Sequence, residues 1–179
     1  MRIISGKYKG RIIKGMDIVG TRPTMDRVKE SMFAMIQNNI KESICLDLFA
    51  GSGSLGIEAI SNECKKCYFV DNNKQALVTI KENINNLKIN EEYHIIKNDY
   101  NEALKYFKDN NIKFDLIFLD PPYKLNLINN ILNKIIEYNL LNANGQVICE
   151  YESELVDNDT LTLLKERSYG SKKIKIYKS

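Results

Sequence analysis

Asp120-Pro121-Pro122-Tyr123 places a carboxylate and an aromatic ring directly after an apolar run, residues 114–119. The run has the length and composition of a buried strand, and it must end at the prolines, which have no N–H to give to a sheet. Open α/β sheets bind ligands outside the carboxyl ends of such strands. A carboxylate and unpaired carbonyls beside a flat ring suit a planar substrate with an NH2 group. The corner therefore predicts binding of a purine or cytosine base.

A second group follows the apolar run 44–49, where Gly51, Gly53 and Gly56 have the spacing G-x-G-x-x-G. Glycine lets backbone approach a ligand closely and adopt positive φ, although we expect Gly56 to serve helix–sheet packing instead. Asp71 ends the next apolar run, where its carboxylate can accept hydrogen bonds from both ribose hydroxyls. These features predict a nucleoside-containing cofactor, and the glycine spacing alone fits NAD equally well.

Alternating strand and helix patterns must position these residues. The predicted strands span 44–49, 67–71, 93–97, 114–120 and 146–151, and the predicted helices span 24–40, 54–63, 73–88, 101–109 and 127–136. Such alternation gives a mostly parallel sheet covered on both faces, an α/β fold. We also expect a C-terminal antiparallel hairpin at 166–178, around Gly170-Ser171, and short β structure within residues 2–20.

Charge is distributed unevenly along this chain of 179 residues, whose net charge is +3. Residues 1–29 carry +6, residues 165–179 carry +5, and the acidic middle carries −8. Two basic termini favour contact with a polyanion such as a nucleic acid. No apolar stretch approaches the roughly 18 residues of a membrane span. The length suits a single domain, and we expect a cytoplasmic protein.

Cysteine and histidine give little support for a metal site. Cys64-Lys65-Lys66-Cys67 is a C-x-x-C pair, but a zinc site needs two further ligands and the chain has one histidine, His94. We therefore expect no metal. A hydrolase that pairs a nucleophile with histidine is also disfavoured, because no nucleophile motif accompanies His94.

Two motifs together resemble those of class I S-adenosylmethionine-dependent amino-methyltransferases: residues 47–53 (DLFAGSG) and the corner 120–123 (DPPY). The corner alone is shared with adenine-N6 and cytosine-N4 enzymes. The beginning of the chain, residues 2–6, 9–11 and 22–30, is similar to that of the RsmD family, which methylates a guanine N2 in bacterial small-subunit (16S) rRNA. The resemblance implies a class I methyltransferase, Rossmann-like sheet with S-adenosylmethionine as cofactor.

The resemblance also implies roles for individual residues. The cofactor residues would be Asp47, Ala50, Gly51, Ser52, Gly53, Asp71, Asp99 and Tyr100. The catalytic residues would be Asp120, Pro121, Pro122 and Tyr123, and the RNA-binding residues Lys7, Lys9, Arg11, Arg22 and Arg27. The implied partner is small-subunit rRNA or an assembling small ribosomal subunit, bound by a monomer. Residues 1–23 would form a basic β extension, and residues 24–179 the cofactor-binding core.

Three alternatives stay open. A DNA adenine-N6 methyltransferase would use the same corner, but the chain leaves little room for a target-recognition region. An NAD-dependent oxidoreductase would use the glycines and Asp71, but it leaves Asp120 and Tyr123 unexplained and lacks a substrate domain. A non-catalytic RNA-binding module would need none of these motifs intact.

Overall fold

The computed structural model describes residues 1–16, 23–122, 125–153 and 155–179. Its strands are β1 (Ile44–Asp47), β2 (Lys66–Asp71), β3 (Glu92–Lys97), β4 (Phe114–Leu119), β5 (Leu141–Tyr151), β6 (Thr162–Tyr169) and β7 (Lys172–Lys178). Its α-helices are α1 (Pro23–Ile36), α2 (Ser54–Ser61), α3 (Lys74–Leu87), α4 (Tyr100–Asp109) and α5 (Ile128–Glu137). A 3-10 turn at Gln37–Asn39 follows α1.

The described strands form one sheet in the order β3-β2-β1-β4-β5-β7-β6. Strands β1 to β5 pair in parallel, and β7 pairs antiparallel with both β5 and β6. After β1 the chain moves to one side to form β2, and it later returns to the other side of β1 to form β4. The carboxyl ends of β1 and β4 therefore flank the switch point of the sheet, where α/β folds open a ligand crevice. The predicted α/β fold with a C-terminal antiparallel hairpin is confirmed.

Two apolar layers cover the sheet, as expected for strands that are buried on both faces. One layer joins the N-terminal residues with α1, α2 and α3, and its members include Ile3, Met32, Ile57 and Ile80. The other layer is built by α4 and α5, with Phe107 and Ile131 among its fully buried side chains. Helices α1 and α2 therefore share a face of the sheet with the N-terminal residues.

Several element bounds differ from the prediction for physical reasons. Helix α1 ends at Ile36 rather than residue 40, because the chain tightens into the 3-10 turn. Strand β5 begins at Leu141, five residues earlier than predicted, and β6 begins at Thr162. Strand β6 is an edge strand whose side chains are almost all exposed, so it carries no alternating apolar pattern that could reveal it.

Residues 1–16, which we call the N-terminal segment, double back on themselves without forming extended strands. A single antiparallel bridge joins Arg2 and Ile12, and the N–H of Ile3 donates to the Arg11 carbonyl at 3.0 Å. The predicted short β structure is thus reduced to one bridge, and residues 17–22 lie outside the described residues. Within the described part of the chain, the helices are too short or too polar to cross a membrane.

Candidate active site

Three carboxylates stand at neighbouring strand ends. Asp47 and Asp71 are the last residues of β1 and β2, and Asp120 directly follows β4. Since β4, β1 and β2 are adjacent and parallel, these side chains share one edge of the sheet. The sequence placed Asp71 and Asp120 at strand ends but Asp47 within a strand of residues 44–49, and that bound is wrong because β1 ends at Asp47. The topology brings the three ends side by side.

The cofactor loop, residues 50–53, connects β1 to α2 through two left-handed glycines. Gly51 has φ +53° and Gly53 has φ +81°, a region that residues with a Cβ rarely adopt. A Cβ added at Gly51 would lie 3.9 Å from the Met16 Cγ, its nearest described neighbour outside the adjoining residues. The loop therefore presents bare backbone at Gly51, as close approach by a nucleoside cofactor requires.

Gly56, the third glycine of the G-x-G-x-x-G spacing, lies within α2 and serves the packing of that helix on the sheet. A Cβ at Gly56 would lie 2.2 Å from the Phe69 ring and 2.8 Å from the Cys67 Sγ, both on β2. Helix α2 can therefore approach the sheet this closely only because residue 56 has no side chain. The expectation that Gly56 serves helix–sheet packing is confirmed.

Asp71 holds the cofactor loop from the neighbouring strand. Its Oδ2 accepts a hydrogen bond from the Gly51 N–H at 2.8 Å, and its Oδ1 accepts from the Asn73 N–H at 2.8 Å. The Asp71 side chain is half-buried, and each carboxylate oxygen keeps further lone-pair capacity for a ligand hydroxyl.

Asp47 is buried beneath the loop. Its Oδ2 accepts a hydrogen bond from the Gly56 N–H at 3.0 Å, and 2% of the residue is exposed. The pKa of Asp47 is raised to about 7, because burial, aided by the negative charge of Asp71, outweighs the opposing effect of the Gly56 hydrogen bond. Asp47 thus ties the first turn of α2 to the end of β1, and its carboxyl group titrates near neutral pH.

Asp99 and Tyr100 stand at the start of α4, beyond β3. The Asp99 carboxylate is the N-cap of α4 and accepts from the N–H groups of Asn101 and Glu102. The Tyr100 ring packs against Phe49, with ring centroids 5.7 Å apart. This places an aromatic wall beside the end of β1, and the Asn98 N–H reaches the Asp71 carbonyl at 3.2 Å.

The Asp-Pro-Pro corner leaves the sheet as predicted, with Asp120 half-buried, Pro121 buried and Pro122 exposed. The Pro122 carbonyl accepts a hydrogen bond from the Leu125 N–H at 3.1 Å. The expectation that the carbonyls of this corner are unpaired is therefore wrong for Pro122. Tyr123 lies outside the described residues.

A cleft joins the corner to the start of α2. Its lining includes Asp120, Glu150, Asp26, Lys29 and Ser54. Glu150 comes from β5, next to β4, and forms an ion pair with Lys172 at 2.5 Å. The carboxylate predicted to bind the base and the helix that follows the cofactor loop therefore line the same cleft.

The chain is similar to known proteins over nearly its whole length. Residues 1–178 match the family model described as "Conserved hypothetical protein 95". The chain is 37% identical over its full length to 94% of "Ribosomal RNA small subunit methyltransferase D" from Haemophilus influenzae. The chain belongs to the RsmD family. The resemblance seen in the sequence is therefore confirmed.

Other relatives extend the same result. The chain is 40% identical to "Putative rRNA methyltransferase YlbH" from Bacillus subtilis, over 99% of this chain and 98% of the relative. A crystal structure of a "putative methylase" from Haemophilus influenzae matches 99% of this chain and 97% of its own, with a TM-score of 0.80 and 35% identity. The fold is that of the class I methyltransferases.

Sequence analysis missed a buried ion pair beside the cleft. Lys29 on α1 approaches Glu58 on α2 at 3.0 Å, with side chains 7% and 0% exposed. The Lys29 Nζ also donates to the Arg2 carbonyl at 2.7 Å and to the Ser54 Oγ at 3.1 Å. Glu58 accepts from the N–H groups of Ile4 and Ser5. The pair therefore joins the N-terminal segment, α1 and α2.

The basic residues of the N-terminal segment make several contacts within the protein. Lys7 pairs with Glu91 at 2.5 Å, and the Arg11 guanidinium donates to the carbonyls of Asn86 and Leu87 at the end of α3. Lys9 is exposed. Arg27 is exposed on α1, and Arg22 lies outside the described residues.

The cysteines are packing residues in this structure. Cys45, Cys64, Cys67 and Cys149 are all free and buried, and burial raises the pKa of the Cys45 and Cys67 thiols. Among the described residues, no group of three or more His, Cys, Asp or Glu is arranged to hold a metal ion.

Proposed function

We propose that this protein transfers a methyl group from S-adenosylmethionine to the exocyclic N2 of a guanine in small-subunit rRNA. Family membership over residues 1–178 supports the reaction class. The observation that carries the proposal is the shared cleft, because Asp120 lines it together with Ser54, the first residue after the cofactor loop. A base amine at Asp120 and a methyl donor at the loop would then be neighbours.

The loop suits the cofactor on physical grounds. Residue 51 has no side chain, so the methionine portion could approach the loop backbone there, and the Asp71 carboxylate would accept from the ribose hydroxyls. Asp99 and the Tyr100 ring would border the adenine at the end of β3. Asp47 would act through the loop that it anchors, together with Ala50, Ser52 and Gly53. When bound, the cofactor supplies an electrophilic methyl group on a sulfonium.

Catalysis would rest mainly on orientation. The lone pair of a guanine N2 is delocalised into the ring, so the amine is a poor nucleophile. Asp120 and the Pro121 carbonyl would accept its two hydrogens and turn the lone pair toward the methyl group, and Tyr123 would stack on the base. The N–C bond would then form in line as the C–S bond breaks, with S-adenosylhomocysteine as the leaving group, and the proton lost from N2 would pass to the Asp120 carboxylate or to water.

RNA binding would use the basic N-terminal segment. A base inside an rRNA helix must leave its stack, at a cost of a few kcal/mol. Phosphate contacts from Lys9, Arg11, Arg27 and their neighbours would offset this cost. Because Lys7 already pairs with Glu91, its contribution to RNA binding should be smaller than that of the exposed Lys9.

The deciding experiment measures transfer of label from S-adenosylmethionine to unmodified small ribosomal subunits, protein-free rRNA and duplex DNA, followed by digestion to nucleosides. We expect label in N2-methylguanosine from subunits or rRNA. Label in N6-methyladenine from DNA would keep the fold and cofactor but overturn the substrate. Calorimetric binding of NAD without binding of S-adenosylmethionine would overturn the reaction itself.

A further inference from the structure

Asn83 is a buried polar residue in the apolar face of α3. It lies among Ile80, Ile84 and Leu87 in the helix, and 1% of it is exposed. Its Nδ2 donates to the Ser52 carbonyl at 3.0 Å and to the Lys14 carbonyl at 2.9 Å. Its Oδ1 accepts from the Lys14 N–H at 2.8 Å. One amide therefore connects the cofactor loop to the N-terminal segment.

The chemistry of this position suits only an amide of this size. Two carbonyls require donors from the same nitrogen, and one backbone N–H requires an acceptor. Aspartate offers no donor, and leucine offers neither function. The reversed amide would set Oδ1 against two carbonyl oxygens, so the pattern of partners determines the orientation of the Asn83 side chain.

Other contacts also bring the N-terminal segment to the loop. The Met16 Cγ is the nearest atom to the open position at Gly51, at 3.9 Å. On the other side, Lys29 links the Arg2 carbonyl to the Ser54 hydroxyl. Asn83 differs from these contacts because it holds a loop carbonyl directly and is itself oriented by two backbone groups of Lys14.

We infer that Asn83 is a positioning residue that transmits the docking of the N-terminal segment to the cofactor loop. The inference rests on the proposed binding of S-adenosylmethionine at that loop. When the segment leaves, the Asn83 amide loses two of its three hydrogen bonds and can rotate away from Ser52. The loop then has more conformations to lose on binding the cofactor, and affinity falls.

A double-mutant cycle on cofactor affinity tests this role. Ile13→Ala weakens docking, because Ile13 is 2% exposed in the core beside Lys14. Asn83→Ala removes the connection. Calorimetry with S-adenosylmethionine should show Kd raised about tenfold by Asn83→Ala, the loss expected for about one buried hydrogen bond. Ile13→Ala alone should raise Kd several-fold, and adding it to Asn83→Ala should raise Kd no further.

A matched control separates positioning from stability. Thr79, on the same helix and 2% exposed, bonds the Gln75 carbonyl of its own helix. Thr79→Ala should lower the Tm without changing the Kd. If Asn83→Ala is too unstable to purify, Asn83→Leu takes its place, because it fills a similar volume and offers Ser52 and Lys14 neither a donor nor an acceptor.

Two results would overturn the inference. If the Kd of the double variant rises by the product of the increases seen with Ile13→Ala and Asn83→Ala alone, the segment acts on the loop by another route. An unchanged Kd in Asn83→Ala would show that the amide only stabilises the fold. If the parent protein binds no S-adenosylmethionine, the proposed function fails first and this role fails with it, so the two failures are distinguishable.

Discussion

The Asp71 carboxylate accepts a hydrogen bond from the Gly51 N–H at 2.8 Å, so the end of β2 holds the loop that follows β1. Gly51 has φ +53°, a conformation that needs such a restraint to persist as one well-defined state. The same carboxylate is the one proposed to bind ribose. Under that proposal, loop order and ribose recognition would depend on a single side chain.

Two replacements of Asp71 should weaken cofactor binding to different degrees. Asp71→Asn keeps an acceptor for the Gly51 N–H but loses charge-assisted bonds to the ribose hydroxyls. Asp71→Ala also releases the loop, so its Kd for S-adenosylmethionine should rise by about tenfold to a hundredfold and exceed that of Asp71→Asn. Calorimetry measures both values, and equal Kd values for the two variants would contradict the loop-holding role.

Removal of the Asp120 carboxylate should affect the reaction and spare the cofactor. Asp120→Ala should lower the rate of methyl transfer about 10²- to 10³-fold, because the amine loses its orienting acceptor, while the Kd for S-adenosylmethionine stays within about threefold of the parent. The control is Asp109→Ala, which removes an exposed carboxylate at the end of α4. Transfer by Asp120→Ala at the parent rate would refute this assignment.

The buried Asp47 should make stability depend on pH. Burial raises the pKa of Asp47 from 3.8 to about 7, so the native state holds a proton that the unfolded state releases. The free energy of unfolding should therefore fall as pH rises from about 4 to about 7, and this contribution should be constant above about pH 8. Asp47→Asn, which keeps an acceptor for the Gly56 N–H, should lack that fall in urea titrations from pH 4 to 8. Parallel curves for both proteins would contradict the raised pKa.

A side chain at Gly56 should destabilise the contact between α2 and the sheet. In Gly56→Ala the new Cβ would lie 2.2 Å from the Phe69 ring, and relief of this overlap should cost about 1–3 kcal/mol. Gly15→Ala is the control, because its Cβ would meet only the flexible end of Met1 at 3.3 Å. Chemical denaturation compares the two variants, and equal losses would argue against the packing role.

The buried ion pair should matter far more than an exposed one. Glu58→Ala leaves the buried Lys29 charge without its counter-ion and the Ile4 and Ser5 N–H groups without their acceptor, so the free energy of unfolding should fall by about 3–5 kcal/mol. Lys41→Ala breaks the Lys41–Glu63 pair, whose side chains are 68% and 65% exposed, and should cost about 1 kcal/mol or less. Denaturation curves that place the two losses within error of each other would contradict this account.

Local chemistry made part of the site visible in the sequence. Prolines after an apolar run must end a strand, which put Asp120 at a strand's carboxyl end. Glycines after a strand indicate a left-handed turn, and φ is +53° at Gly51 and +81° at Gly53. Each inference depends on a residue type that restricts its own backbone, so no distant contact is needed to make it.

The partners of polar residues inside helices were invisible for the opposite reason. Asn83 interrupts an apolar stripe of α3, and Glu58 lies between Ile57 and Ala59 in α2, which are signals of burial without any indication of a partner. Those partners are distant along the chain: Lys29 lies 29 positions from Glu58, and Lys14 lies 69 positions from Asn83. A side chain so distant becomes a partner only when the topology of the sheet brings its segment into contact.

The sequence by itself determined the corner after β4 and the glycine loop, because these follow from residue types at short spacing, and its resemblance to the RsmD family implied the reaction class. Tertiary structure alone decided which charges remain available. It pairs Lys7 with Glu91, buries Lys29 against Glu58, and raises the pKa of Asp47 by burial. Desolvation and the proximity of other charged groups govern these outcomes, and both are properties of the folded chain.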